Sequence, residues 1–64
     1  MRIDAIKLTT ELMRQDLTQL KLAEKAGVSR ATINYIKCGK KCSDETGRKI
    51  ADALGVPIEN LLEG

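Results

Sequence analysis

Residues 18–36 read Thr-Gln-Leu-Lys-Leu-Ala-Glu-Lys-Ala-Gly-Val-Ser-Arg-Ala-Thr-Ile-Asn-Tyr-Ile. Thr18 offers a capping hydroxyl to a short helix from Gln19 to Ala26, with Leu22, Ala23 and Ala26 facing inward. Gly27 suits the left-handed residue that ends such a helix. Only Val28 then precedes the next capping residue, Ser29, so the chain must turn sharply into another helix running to about Lys37. Counted from Gln19, the spacing has a steric logic. A small side chain at Ala23 lets the two helices approach, Gly27 makes the tight turn, and Ile33 and Ile36 hold the second helix to the body. That leaves Arg30, Ala31, Asn34 and Tyr35 on the opposite side, with Lys37 and Cys38 at its end. Arg pairs bidentately with guanine O6 and N7, and Asn with adenine N6 and N7, so a protruding helix of this composition suits a DNA major groove.

Working outward, Ile3 to Arg14 is expected to be a first helix, with Ile3, Ile6 and Met13, and Ala5, Leu8 and Leu12 beside them, forming a broad apolar stripe. After the central pair, Cys38 to Cys42 form a basic loop around Gly39, and Ser43 can cap a fourth helix of roughly Asp44 to Leu54, buried through Ile50, Ala51 and Leu54. Gly47 inside it costs up to ~1 kcal/mol against Ala unless something packs closely there. Gly55 ends that helix, and Pro57 opens a fifth, with Ile58, Leu61 and Leu62 as its apolar side. No segment alternates as a strand does. The expected fold is all-α: one domain over residues 1–64, a compact bundle of five short helices.

Composition narrows the function. Phe and Trp are absent and Tyr35 is the sole aromatic residue, so Leu, Ile, Val and Ala must build the core. A chain of this size buries only ~60 % of its unfolded surface, so dimerisation would help stability. The net charge is only +2, but Lys21 to Lys41 holds six basic residues against Glu24 alone, a local balance of +5, while the remainder carries −3. Such asymmetry fits one face meeting a polyanion. Charges at Arg2, Asp4, Lys7, Glu11, Arg14 and Asp16 interrupt any signal-peptide core, and a cytoplasmic protein is expected. With no His, and with Cys38 and Cys42 as the only cysteines, a four-ligand zinc site cannot be assembled, and free thiols are expected. No cofactor, metal or catalytic residue is expected, and an enzyme is disfavoured: there is no His, no phosphate-cradling glycine loop and no Cys paired with a base.

With these residues in place, the chain resembles the lambda-repressor-like helix-turn-helix proteins, which include phage repressors and Cro proteins. The resemblance runs from about residue 3 to residue 63. It rests on Leu17-Thr18-Gln19, Leu22 to Ser29, Thr32-Ile33, Ile36, Gly39-Lys40, Ile50 to Val56 and Leu61-Leu62. It implies that the helix-turn-helix lies in the second and third helices, that Arg30, Ala31, Asn34 and Tyr35 read bases, and that Gln19, Ser29, Lys40 and Lys41 approach phosphates. Gln19 can also brace the recognition helix. The function implied is a transcriptional regulator, most simply a phage or mobile-element repressor, bound as a homodimer to a pseudo-palindromic double-stranded DNA operator. Ile58, Leu61 and Leu62 would complete the core, or one of them would lie on an exposed apolar patch that supplies the two-fold contact. The competing reading is a protein-interaction module, such as an antitoxin held by a protein partner.

Two positions depart from the family pattern. Many members pair an Arg of the first helix with a Glu ending the third, where this chain has Leu12 and Lys37. Apolar replacement of such a pair is compatible with the fold, and it frees Lys37 for a phosphate. Asp16 stands where many relatives have Gly, which bears on the shape of the first inter-helix turn.

Overall fold

In the computed structural model, which describes residues 1–63, the chain folds into four α-helices and one 3₁₀ turn. The helices are α1 (Ala5–Arg14), α2 (Gln19–Ala26), α3 (Arg30–Lys37) and α4 (Asp44–Leu54), and the turn is Ile58–Asn60. Each helix starts where a short polar side chain replaces the missing backbone acceptors. Thr18 Oγ1 accepts the Lys21 N–H, Ser29 Oγ that of Thr32, and Ser43 Oγ that of Thr46, each at 3.1 Å. Asp4 Oδ1 accepts from Ile6 at 2.8 Å and Lys7 at 3.1 Å. That last cap was not anticipated, and it starts α1 at Ala5 instead of Ile3.

All four α-helices end in one way. A left-handed residue closes each, at φ 55° for Asp16, 71° for Gly27, 86° for Gly39 and 69° for Gly55. The following N–H reaches five residues back: Leu17 to Leu12 O, Val28 to Ala23 O, Lys40 to Tyr35 O and Val56 to Ala51 O. This is the Schellman closure, and Leu17, Val28 and Val56 pack on the core as its apolar partners. Asp16 therefore makes the turn that Gly makes elsewhere in the chain.

The core holds Ile3, Leu8, Leu22, Ile33, Ile36, Ile50 and Leu61, all fully buried, with α2 packed on both α3 and α4 through Leu22, Ala23 and Ala26. Two expectations need correction. Ile6 and Met13 lie outside the core, at 78 % and 76 % exposure; the buried face of α1 is Leu8, Glu11 and Leu12. Leu8 and Leu12, four residues apart, set that face and turn Ile6 and Met13 away from it. The fifth helix is only the 3₁₀ turn. Pro57 gives it no side-chain cap, and beyond Leu61 the chain is extended, with Leu62 bridged to Ile3. The Asp4 N–H donates to Leu61 O at 2.7 Å and the Glu63 N–H to Arg2 O at 3.2 Å, so this backbone is committed to pairing and cannot continue a helix. Leu61 is buried in the core, Ile58 packs against it and Leu62 is half-buried, so of the two roles open to these residues the structure shows the core one and no exposed apolar patch.

Gly47 is explained by packing, since a Cβ there would overlap Met1 Sδ. Met1 is held in place by backbone pairing: its amino group donates to Cys42 O at 2.8 Å, and the Cys42 N–H donates to Met1 O at 2.9 Å. In the corner where α1 meets the end of α4, Leu12 belongs to the core and Glu11 is the buried charge. Its carboxylate accepts from Arg14 Nη1 at 2.7 Å and from Gln15 Nε2 at 3.3 Å. Gln15 Nε2 also donates to Leu54 O at 2.7 Å, supplying a carbonyl that the last turn of α4 leaves unpaired.

Candidate nucleic-acid interface

With Ile33 and Ile36 fully buried, the 3.6-residue period of α3 turns Arg30, Ala31, Asn34 and Tyr35 to the surface, and all four are exposed. The first turn of α2 lies beside them. Thr18, Gln19 and Leu20 from one side and Arg30 and Asn34 from the other line an open cleft of about 560 Å³. The fold thus brings Gln19 next to two of the expected base-reading residues. Gln19 is half-buried, and its side chain makes no hydrogen bond to α3, so the expected brace is at most a packing contact.

Leu20 was not singled out from the sequence, yet it stands 51 % exposed in this cleft beside Arg30 and Asn34. The available signal was its register. Leu22, Ala23 and Ala26 define the inner face of α2, and Leu20 lies off that face. An aliphatic group among polar side chains of this kind has the chemistry that suits a thymine methyl.

The electrostatics are those of an open cationic surface. Among the described residues, Arg30, Lys37, Lys40 and Lys41 have no ion-pair partner, whereas Lys49 is tied to Glu45 at 3.3 Å. Lys40 and Lys41 are exposed in the loop after Gly39, and Lys37 is half-buried at the end of α3. Ser29 Oγ, besides capping Thr32, lies 2.9 Å from Thr32 Oγ1. Its oxygen is thus already engaged, and its hydrogen is free for a phosphate only when the Thr32 hydroxyl is the donor of that pair. Cys38 and Cys42 are free thiols, the first exposed and the second half-buried. Burial pushes the Cys42 thiol up, with Asp44 adding to the shift and the Met1 ammonium and the Cys42 backbone N–H opposing it. The described residues contain no cluster of three or more candidate metal ligands and no helix long and apolar enough to cross a membrane.

Comparison with known proteins agrees with this geometry. No curated protein matches the chain. Among solved structures, a hydroxyethylphosphonate dioxygenase variant superposes with a TM-score of 0.88 at 23 % identity, and native PhpD with cadmium atoms with 0.86 at 23 %. In both cases all of this chain is covered but only 14 % of the other, so it spans about one-seventh of their length and the likeness shows the fold alone. The helix-turn-helix family model matches residues 10–61, which takes in all of α2, α3 and α4 and the second half of α1. The chain belongs to the Cro/C1-type helix-turn-helix family and carries its DNA-binding domain.

Proposed function

We propose that the chain is a sequence-specific transcriptional repressor that lays α3 in the major groove of double-stranded DNA. Arg30 and Asn34 donate to base edges, while Ala31 and Tyr35 supply apolar contact. Gln19, Ser29, Lys37, Lys40 and Lys41 hold the phosphates and set the register. The observation that carries this reading is the division of α3 into a fully buried Ile33–Ile36 side and an exposed Arg30–Asn34 side that opens onto the start of α2. Two copies reading half-sites one helical turn apart, ~34 Å, would recognise a pseudo-palindromic operator and occlude a promoter.

The test is selection from a randomised duplex library at several salt concentrations, with the Arg30→Ala, Asn34→Ala double variant beside the native chain. A two-fold-related motif should be enriched by the native chain and lost by the variant, each bidentate contact being worth ~1–3 kcal/mol of base discrimination. Lys37→Gln, Lys40→Gln and Lys41→Gln should each lower the salt slope by ~1 without changing the motif. Absence of any enriched duplex near physiological salt would refute the repressor reading and favour a protein partner as the main target.

A further inference from the structure

The most exposed large apolar side chains of the molecule are on α1, outside the DNA-facing cleft. Ile6 and Met13 are seven positions apart, so they stand on one helix face two turns apart. Thr10 lies between them, and its Oγ1 donates back to Ile6 O at 2.8 Å, so the hydroxyl is spent on its own helix. The three residues form a ridge with no unmet polar group. Beside it runs a groove of about 440 Å³ between α1 and the 3₁₀ turn, lined by Ile6, Lys7, Thr10, Glu11, Glu59 and Asn60.

The charges around the groove are largely spent. Lys7 Nζ donates to Leu62 O at 2.8 Å, and Glu11 is held by Arg14 and Gln15. Of the groove's carboxylates, Glu59 has no ion-pair partner among the described residues. At the opposite end of the ridge, next to Met13, the Arg14 side chain is 70 % exposed and uses only Nη1 on Glu11. Its remaining N–H donors have no partner among the described residues. The surface therefore carries an acid beside Ile6 at one end and a base beside Met13 at the other, on the same flank of α1.

We propose that this face receives a second copy of the same chain, α1 against α1, antiparallel about a two-fold axis near Thr10. A two-fold interface must be self-complementary, so that what residue i meets at j, residue j meets at i. Running α1 antiparallel to its copy satisfies this twice over. Ile6 meets the partner's Met13, and Glu59 meets the partner's Arg14. A parallel arrangement would stack Ile6 on Ile6 and leave the two charges without opposites. The apolar part is two large side chains per copy, well short of the ~800 Å² per partner of a stable standard interface. The dimer is accordingly weak, forming at micromolar or higher concentration in free solution. The inference names the surface for the homodimer proposed above, but it concerns the protein alone and is tested without DNA.

The experiment is sedimentation equilibrium of the native chain, of Ile6→Glu, of Met13→Lys and of an equimolar mixture of the two variants, up to about 1 mM chain. Circular dichroism checks that each variant keeps its helices, as substitutions at such exposed positions should. The native chain should self-associate, and each variant alone should be monomeric throughout, because it sets two charges against apolar side chains. The mixture should dimerise again, since one Ile6–Met13 contact is then native and the other opposes the two introduced charges. A native chain that stays monomeric at 1 mM, a native dimer indifferent to either variant, or a mixture that fails to reassociate would each overturn the proposal. None of these results bears on whether α3 reads DNA.

Discussion

Replacing Asp16 by Gly should stabilise the protein, and the size of the gain follows from the chain's own helix ends. Asp16 sits at φ 55°, in the same closure that Gly27, Gly39 and Gly55 make elsewhere. A left-handed backbone costs an L-residue roughly 1–2 kcal/mol, and Asp recovers part of that through local polar contacts. The Asp16 side chain makes no hydrogen bond or ion pair among the described residues, so little beyond the strain is lost with it. Its charge lies between the unfavourable C-terminus of α1 and the favourable N-terminus of α2, and these two effects oppose each other. Gly gives back ~0.4–1 kcal/mol through the greater freedom of the unfolded chain. The net expectation is a gain of about 0.5–1 kcal/mol, or a melting temperature higher by about 2–8 °C for a domain of this size. Thermal melts followed by circular dichroism read it directly, with Asp16→Ala, which keeps a Cβ but loses the polar group, expected to melt lower than native. If Asp16→Gly melted at or below the native temperature while Asp16→Ala was unchanged, the strain assigned to this turn would be wrong.

Three other expectations can be checked separately. Leu20→Ala should leave the melting temperature nearly unchanged, the side chain being half exposed, yet weaken operator binding several-fold at a single thymine-bearing position; equal weakening on every duplex would remove Leu20 from base reading. Gln15→Ala strips the donor from Leu54 O and one of the two from Glu11, and urea unfolding should show a loss of ~1 kcal/mol, whereas an unchanged midpoint would mean water replaces the amide freely. An alkylating reagent at neutral pH should label Cys38 well before Cys42, because Cys42 is half-buried and its thiol is pushed up. Since the unfolded thiol ionises first, the share of stability that Cys42 contributes is complete below the ordinary thiol range and is lost as pH rises through it; Cys42→Ser should flatten that alkaline decline. Equal labelling of the two cysteines would contradict the burial.

The central helix pair and α4 were legible because each determinant is local. Capping residues at Thr18, Ser29 and Ser43 and apolar positions at Ile33, Ile36, Ile50 and Leu54 need only their own segment to be read, and the structure places each as expected. What was misread depends on contacts distant in sequence. Ile3 looked helical by period, but it pairs with Leu62 near the other end of the chain. Ile6 and Met13 fit an apolar stripe as well as Leu8 and Leu12 did, and only packing against the other elements decides which side of α1 turns inward. The fifth helix failed for the same reason, its backbone being drawn into pairing with residues 2–4. On the exposed face of α3 the residues were readable from period, while Leu20 became visible only when α2 was laid beside Arg30 and Asn34.

The Ile3–Leu62 bridge fixes where the polypeptide enters and leaves the domain. Arg2 and Glu63 stand side by side, joined by a backbone hydrogen bond and by an ion pair of 3.7 Å. Entry and exit are thus separated by about one strand spacing, ~5 Å. A fold tied off in this way can hang from a longer polypeptide on a single narrow stem, because a host loop need hardly open to admit it.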